Sequence, residues 1–146
     1  MATDHATITA TDHAAIRAID RATIIATDNA AVGAFHNATI WAYGNAAIMA
    51  TNHVSVRATD HAAVGASGDA TVRASGNATV DASEHATVRA YGDATVHASG
   101  NATVHAFENA TVETYGDATV HATSGVTVNL HSTQVNLQGL PSTTWS

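Results

Sequence analysis

Ten histidines in 146 residues make metal coordination the first chemistry to consider, because neutral imidazole is the commonest protein ligand for transition metals. Such a site needs three or four ligands converging on one point. His5, His13, His53, His61 and His85 fall where turns are expected, and His97, His105 and His121 where strands are expected. No His-x-His pair occurs, and on the flat faces only His105 and His121 come to be neighbours in one column of the arrangement derived below. No dedicated metal site is expected, only adventitious capture.

Two other residue types recur at fixed spacing. Asp4, Asp12, Asp20 and Asp28 stand eight residues apart, a pattern that would repeat oxygen ligands along an edge and so raises calcium. The double glycine of nonapeptide calcium rolls is missing, and ordinary solvated turns are the expectation. Arg57, Arg73 and Arg89 stand sixteen apart. Stacked one strand spacing apart they repel one another, unless neighbouring columns or an anionic partner supply negative charge. No Ser, His and Asp grouping stands out from the repeat, no Gly-rich phosphate loop precedes a helix, and carboxylates occur mostly as turn residues. Neither catalysis nor a cofactor is expected.

The elements that position these side chains are sixteen octads running without insertion from Ala2 to Asn129. A short fixed period marks a stacked-repeat architecture. With positions numbered one to eight on Ala90-Tyr91-Gly92-Asp93-Ala94-Thr95-Val96-His97, position one is Ala except at Thr114. Position five is Ala except at Val54 and Val126, and position seven is always Ile or Val. Positions six, eight and two are polar or variable, which gives the period-two alternation of a strand with one buried face. Positions three and four carry mainly Gly, Asp, Asn and His, which tolerate left-handed backbone and self-bonded turns. Each octad therefore predicts a strand of about six residues and a two-residue corner.

One such strand cannot bury its face alone, but strands stacked at about 4.8 Å give every backbone group a partner. Similarity along columns sets the coil length. Position six reads Thr7, Thr23, Thr39 and Ser55 in odd octads but Ala15, Ala31, Ala47 and Ala63 in even ones. Position eight separates Arg57, Arg73, Arg89, His105 and His121 from Gly33, Met49, Gly65, Asp81 and Glu113. Two octads per 16-residue coil are expected, in an all-β, single-chain, flat two-sheet β-roll of about eight coils, roughly 38 Å long. On such a roll Trp41, Arg57, Arg73, Arg89, Thr71 and Thr87 face outward as a candidate interaction surface.

The solenoid is assigned to residues 2–129 and a capping tail to residues 130–146, where Val135, Leu137, Leu140 and the sole proline, Pro141, depart from the octad. A cap is expected because an uncovered end exposes strand edges. The N-terminal end has no equivalent, so self-association or membership of a larger assembly is expected there. Five Arg, no Lys and 12 carboxylates give a net charge of −7, which argues against nucleic-acid partners. No apolar run approaches the ~20 residues of a membrane span, and Met1-Ala2-Thr3-Asp4 enters the first octad without a signal-peptide pattern. With no Cys, disulfides and thiolate sites are excluded.

Ala98-Ser99-Gly100-Asn101-Ala102-Thr103-Val104-His105 resembles the central repeats of bacterial ice-nucleation proteins, with coverage over residues 2–129. That resemblance implies a 16-residue coil of two octads and ordering of water on Thr-x-Thr arrays, a pair kept here at Thr7-Ile8-Thr9. Ala74-Ser75-Gly76-Asn77-Ala78-Thr79 is similar to the Val-x-Gly-Asn-x-Thr pattern of the intertwined trimeric β-helix in phage needles and type VI secretion spikes. The second resemblance implies a rigid, protease-resistant trimer. The function expected first is a non-enzymatic spacer, decoration or adhesion element in a phage particle or on a microbial surface. Ice binding and a trimeric spike are the alternatives.

Overall fold

The structure is a computed structural model and describes residues 1–132 and 136–138. Every regular element in it is a β-strand. Strands of four residues begin with β1 (Thr7–Ala10) and β2 (Ala15–Ala18) and repeat every eight residues to β15 (Thr119–Ala122) and β16 (Thr127–Leu130); β17 (Asn136–Gln138) follows. Odd-numbered strands form one nine-stranded parallel sheet, and even-numbered strands a second of eight. Up to β16, paired strands stand sixteen residues apart in register, Thr7 with Thr23 and Val80 with Val96 being examples. The chain is thus a β-solenoid of about eight coils with two octads in each, as the column comparison predicts.

Parallel sheets usually need cover on both faces. Here the two sheets cover each other and leave their outer faces to solvent. Positions one, five and seven point inward, and from Ala18 to Val120 nearly all are fully buried, Val72, Val80, Val88 and Val104 at 0% exposure among them. Because Ala supplies two of the three inward columns, the core is thin, and stability rests on repetition along the stack. Burial of each Val or Ile contributes roughly 1.5 to 3 kcal/mol. The sequence exceptions fit: Val54 is fully buried, and the buried Thr114 hydroxyl donates to the Asn129 carbonyl at 3.4 Å.

The strands are shorter than the six residues expected, and the corner is longer. It spans positions two to five and is commonly closed by the position-five N–H donating to the position-two carbonyl, as from Ala30 to Thr27 at 3.1 Å. Position three takes the left-handed conformation in each of the first fifteen octads, from Asp4 at φ 56° to Gly116 at 72°. In the sixteenth octad the role passes to Gly125 at φ 97°, where a Cβ would lie 2.6 Å from the Glu108 carbonyl oxygen. Only glycine fits there without displacing backbone.

Three corners carry an inter-coil clamp. The Gly44 N–H donates to Asp60 Oδ2 at 3.2 Å, that of Gly68 to Glu84 Oε2 at 2.7 Å, and that of Gly92 to Glu108 Oε2 at 2.6 Å. In each pair an acid at position three stands above a glycine at position three of the preceding coil. Glutamate is a poor left-handed residue. A charge-assisted bond to an otherwise free N–H offsets that strain at Glu84 and Glu108.

Past β16 the register slips by one residue, so that Thr119 pairs with Asn136 and Val120 with Leu137, seventeen residues apart. The described part of the expected tail thus adds a rung to the first sheet, with Leu137 partly buried on the core. Residues 133–135 and 139–146, where the rest of the cap was expected, lie outside the described residues. Among the described residues no helix is long and apolar enough to cross a membrane.

Candidate interaction surfaces

Positions six and eight of the odd octads form two straight columns on the outer face of the first sheet. The first is a hydroxyl ladder, Thr7, Thr23, Thr39, Ser55, Thr71, Thr87, Thr103 and Thr119. Thr71 stands between Ser55 and Thr87, the neighbours that a 16-residue coil requires. The second column brings together every remaining surface residue singled out from sequence. Trp41 stands next to Arg57, then follow Arg73 and Arg89, and His105 and His121 continue the line.

None of these three arginines has an ion-pair partner among the described residues. Two of them contact aromatic rings instead. The Arg57 guanidinium lies 5.9 Å from the Trp41 ring centroid and that of Arg73 lies 5.0 Å from Tyr91, within reach of cation–π attraction. Trp41 is nevertheless 43% exposed. Tyr91 is backed by Phe107 in the same corner column, their rings stacked at 4.8 Å. Like charges one strand spacing apart repel by on the order of 1 kcal/mol in water. The column carries that repulsion without internal relief.

His105 and His121 stack face to face at 4.6 Å, with 7° between ring planes. Burial lowers the His105 pKa from its ordinary value, and the charges of His121 and Arg89 lower it further. Protonation there would extend an already cationic column.

The second sheet divides into two halves. Near its start, positions six and eight present Ala15, Ala31, Gly33, Ala47, Met49, Ala63 and Gly65, which line a shallow open depression of about 450 Å³. Met49 stands out of this low surface at 69% exposure. Further along, position eight becomes Asp81, His97 and Glu113. His97 Nδ1 lies 2.7 Å from Asp81 Oδ1, and its Nε2 lies 3.8 Å from Glu113 Oε2. Glu113 also accepts from the Tyr115 hydroxyl at 3.2 Å and lies 4.0 Å from His131 Nε2. The Tyr115 pKa is raised by desolvation first, then by the Glu113 charge and by this hydrogen bond. His131 also stacks on Tyr115 at 4.6 Å.

Sequence reasoning did not single out this alternating column or the apolar half before it. The signal for the column is Asp81, His97 and Glu113 at sixteen-residue spacing; for the apolar half it is Ala at position six combined with Gly at position eight. The corner acids Asp4, Asp12, Asp20 and Asp28 take the left-handed corner position, a backbone role that short Asp side chains suit. Among the described residues no group of three or more His, Asp or Glu side chains converges as a metal ion would require. Comparison with protein-family models, curated proteins and solved structures gives no match to this chain.

Proposed function

We propose that this chain is a non-enzymatic structural element, a stiff rod that acts as a spacer, decoration or adhesion element in a phage particle or on a microbial surface. The observation that carries this is the sixteen-residue register held from β1 to β16 along both sheets, with inter-coil hydrogen bonds continuing into the corners, such as Asn29 to Asp12 at 2.9 Å. Bending such a stack strains many equivalent bonds at once, so stiffness is its natural mechanical property. Flat faces with regular columns suit repeated, multivalent contact. Association with further copies or a larger assembly would use these faces or a free strand edge.

Size-exclusion chromatography with light scattering and small-angle X-ray scattering tests the rod. A single chain should give a compact rod roughly 38 Å long, whereas an intertwined trimer of the same octads would be roughly 77 Å, since each chain then advances three strand spacings per turn. A trimeric mass with the longer dimension would transfer the assignment to a spike or needle segment. A flexible, expanded particle would discard both.

The hydroxyl ladder on the first sheet favours a second reading, ordering of water for ice binding. If it holds, the protein shapes ice crystals or shifts freezing, and Thr71→Leu with Thr87→Leu abolishes the effect. Freezing behaviour identical to buffer removes it.

A further inference from the structure

We infer that the column Arg57, Arg73 and Arg89 is a docking strip for a linear acidic polysaccharide, laid along the coil axis. This deepens the adhesion reading by naming the partner's chemistry, and it rests on the chain presenting that face on a rod.

Charge is the starting point. The chain is acidic, at −7, yet three of its five arginines occupy consecutive rungs of one column. None of the three has a carboxylate partner among the described residues. The fold is able to neutralise such a column, because on the other sheet Asp81, His97 and Glu113 alternate within ion-pair distance. Where the same scaffold leaves like charges unrelieved, an external anion is the complement that electrostatics favours.

The surroundings narrow the anion. Thr71 and Thr87 offer hydroxyls alongside the arginines, and Trp41, 43% exposed, offers a ring beside the Arg57 guanidinium. Cation, hydroxyl and aromatic face together match an acidic sugar, which presents a carboxylate, hydroxyls and an apolar C–H face on each ring. A polyuronate carries one carboxylate per pyranose ring, so negative charge recurs along it as positive charge recurs along the column.

The test uses the intact chain and a size-defined oligogalacturonate, followed by calorimetry or biolayer interferometry at low salt. Saturable binding is expected, weakening by roughly twenty- to fortyfold between about 50 and about 200 mM salt for three neutralised charges. R57Q/R73Q/R89Q should lose tenfold or more with unchanged circular dichroism, R57K/R73K/R89K should keep most of the affinity, and R17Q on the other sheet should match the parent. Absence of binding, or a triple Gln variant that binds like the parent, overturns the proposal. So does equal affinity for a neutral maltooligosaccharide, an oligodeoxynucleotide or a poly-Glu peptide. The outcome is separable from that of the rod: scattering on the same samples reports shape and mass whether or not the sugar binds.

Discussion

On the first sheet Arg57, Arg73 and Arg89 stand one above another, and His105 and His121 extend the line. On the second sheet Asp81, His97 and Glu113 occupy the same octad position with alternating sign, and His97 lies 2.7 Å from Asp81. Behind both columns lie the same inward residues, Val72 and Val88 behind one and Val80 and Val96 behind the other, all fully buried. The scaffold is thus indifferent to what its outer columns carry. Their contents are free to serve contact, and they differ most where contact is proposed.

The largest effects should show the two sheets to be alike inside. Val72→Ala and Val80→Ala should each destabilise by about 2 kcal/mol, from lost burial and the small cavity left in a packed layer. Denaturant unfolding should find the two equal within about 0.5 kcal/mol. A clear inequality would break the premise that only the outer faces differ.

Corner substitutions come next and should not discriminate between the sheets. Glu84→Ala removes the acceptor of the Gly68 N–H while leaving a side chain in left-handed geometry, and should cost about 1 kcal/mol. Glu84→Gly loses the same bond but relieves the strain, so its cost should be smaller. Thermal unfolding that ranks Gly below Ala would remove strain relief from the account of these corners.

Charge swaps sharpen the comparison directly. Arg73→Glu places a carboxylate between two arginines and should stabilise by roughly 0.5 kcal/mol, net of the lost contact with Tyr91. His97→Glu makes three consecutive carboxylates and should destabilise by a similar amount. Both differences should shrink in about 0.5 M salt. Changes of the same sign would mean that the columns do not sense their own charge.

The smallest effect is pH dependence. Because the His105 pKa is lowered from 6.5, by burial first and then by His121 and Arg89, the unfolded chain binds the proton more readily than the folded one. Stability contributed by neutral His105 is therefore intact above pH 6.5 and lost as pH falls through the interval down to the lowered value. Thermal unfolding between pH 7.5 and 5 should show a shallower acid loss in His105→Gln than in the parent. An identical loss would place the proton uptake elsewhere.

Much of the site was legible before any coordinates, because stacking turns sequence spacing into distance. Once Thr alternated with Ala at position six, the neighbours of Thr71 and of Arg73 followed. The second-sheet column was equally present in the spacing, yet its significance depends on side chains bending toward each other. His97 reaches Asp81 more closely than Glu113, a preference that composition does not carry.

The amino-acid order by itself determined the eight-residue period, the inward and outward faces, the coil of two octads and the approximate location of the corners. Those features follow from local conformational preference and the period-two alternation of a half-buried strand. Only the tertiary structure decided that position three, not position four, takes the left-handed turn up to Gly116 and that Gly125 breaks the rule. It also decided that Asp60, Glu84 and Glu108 close the corners of the coil before them, and that β17 enters one residue late. Each of these depends on how one coil's backbone meets the next, a contact sixteen or more residues away that no local pattern encodes.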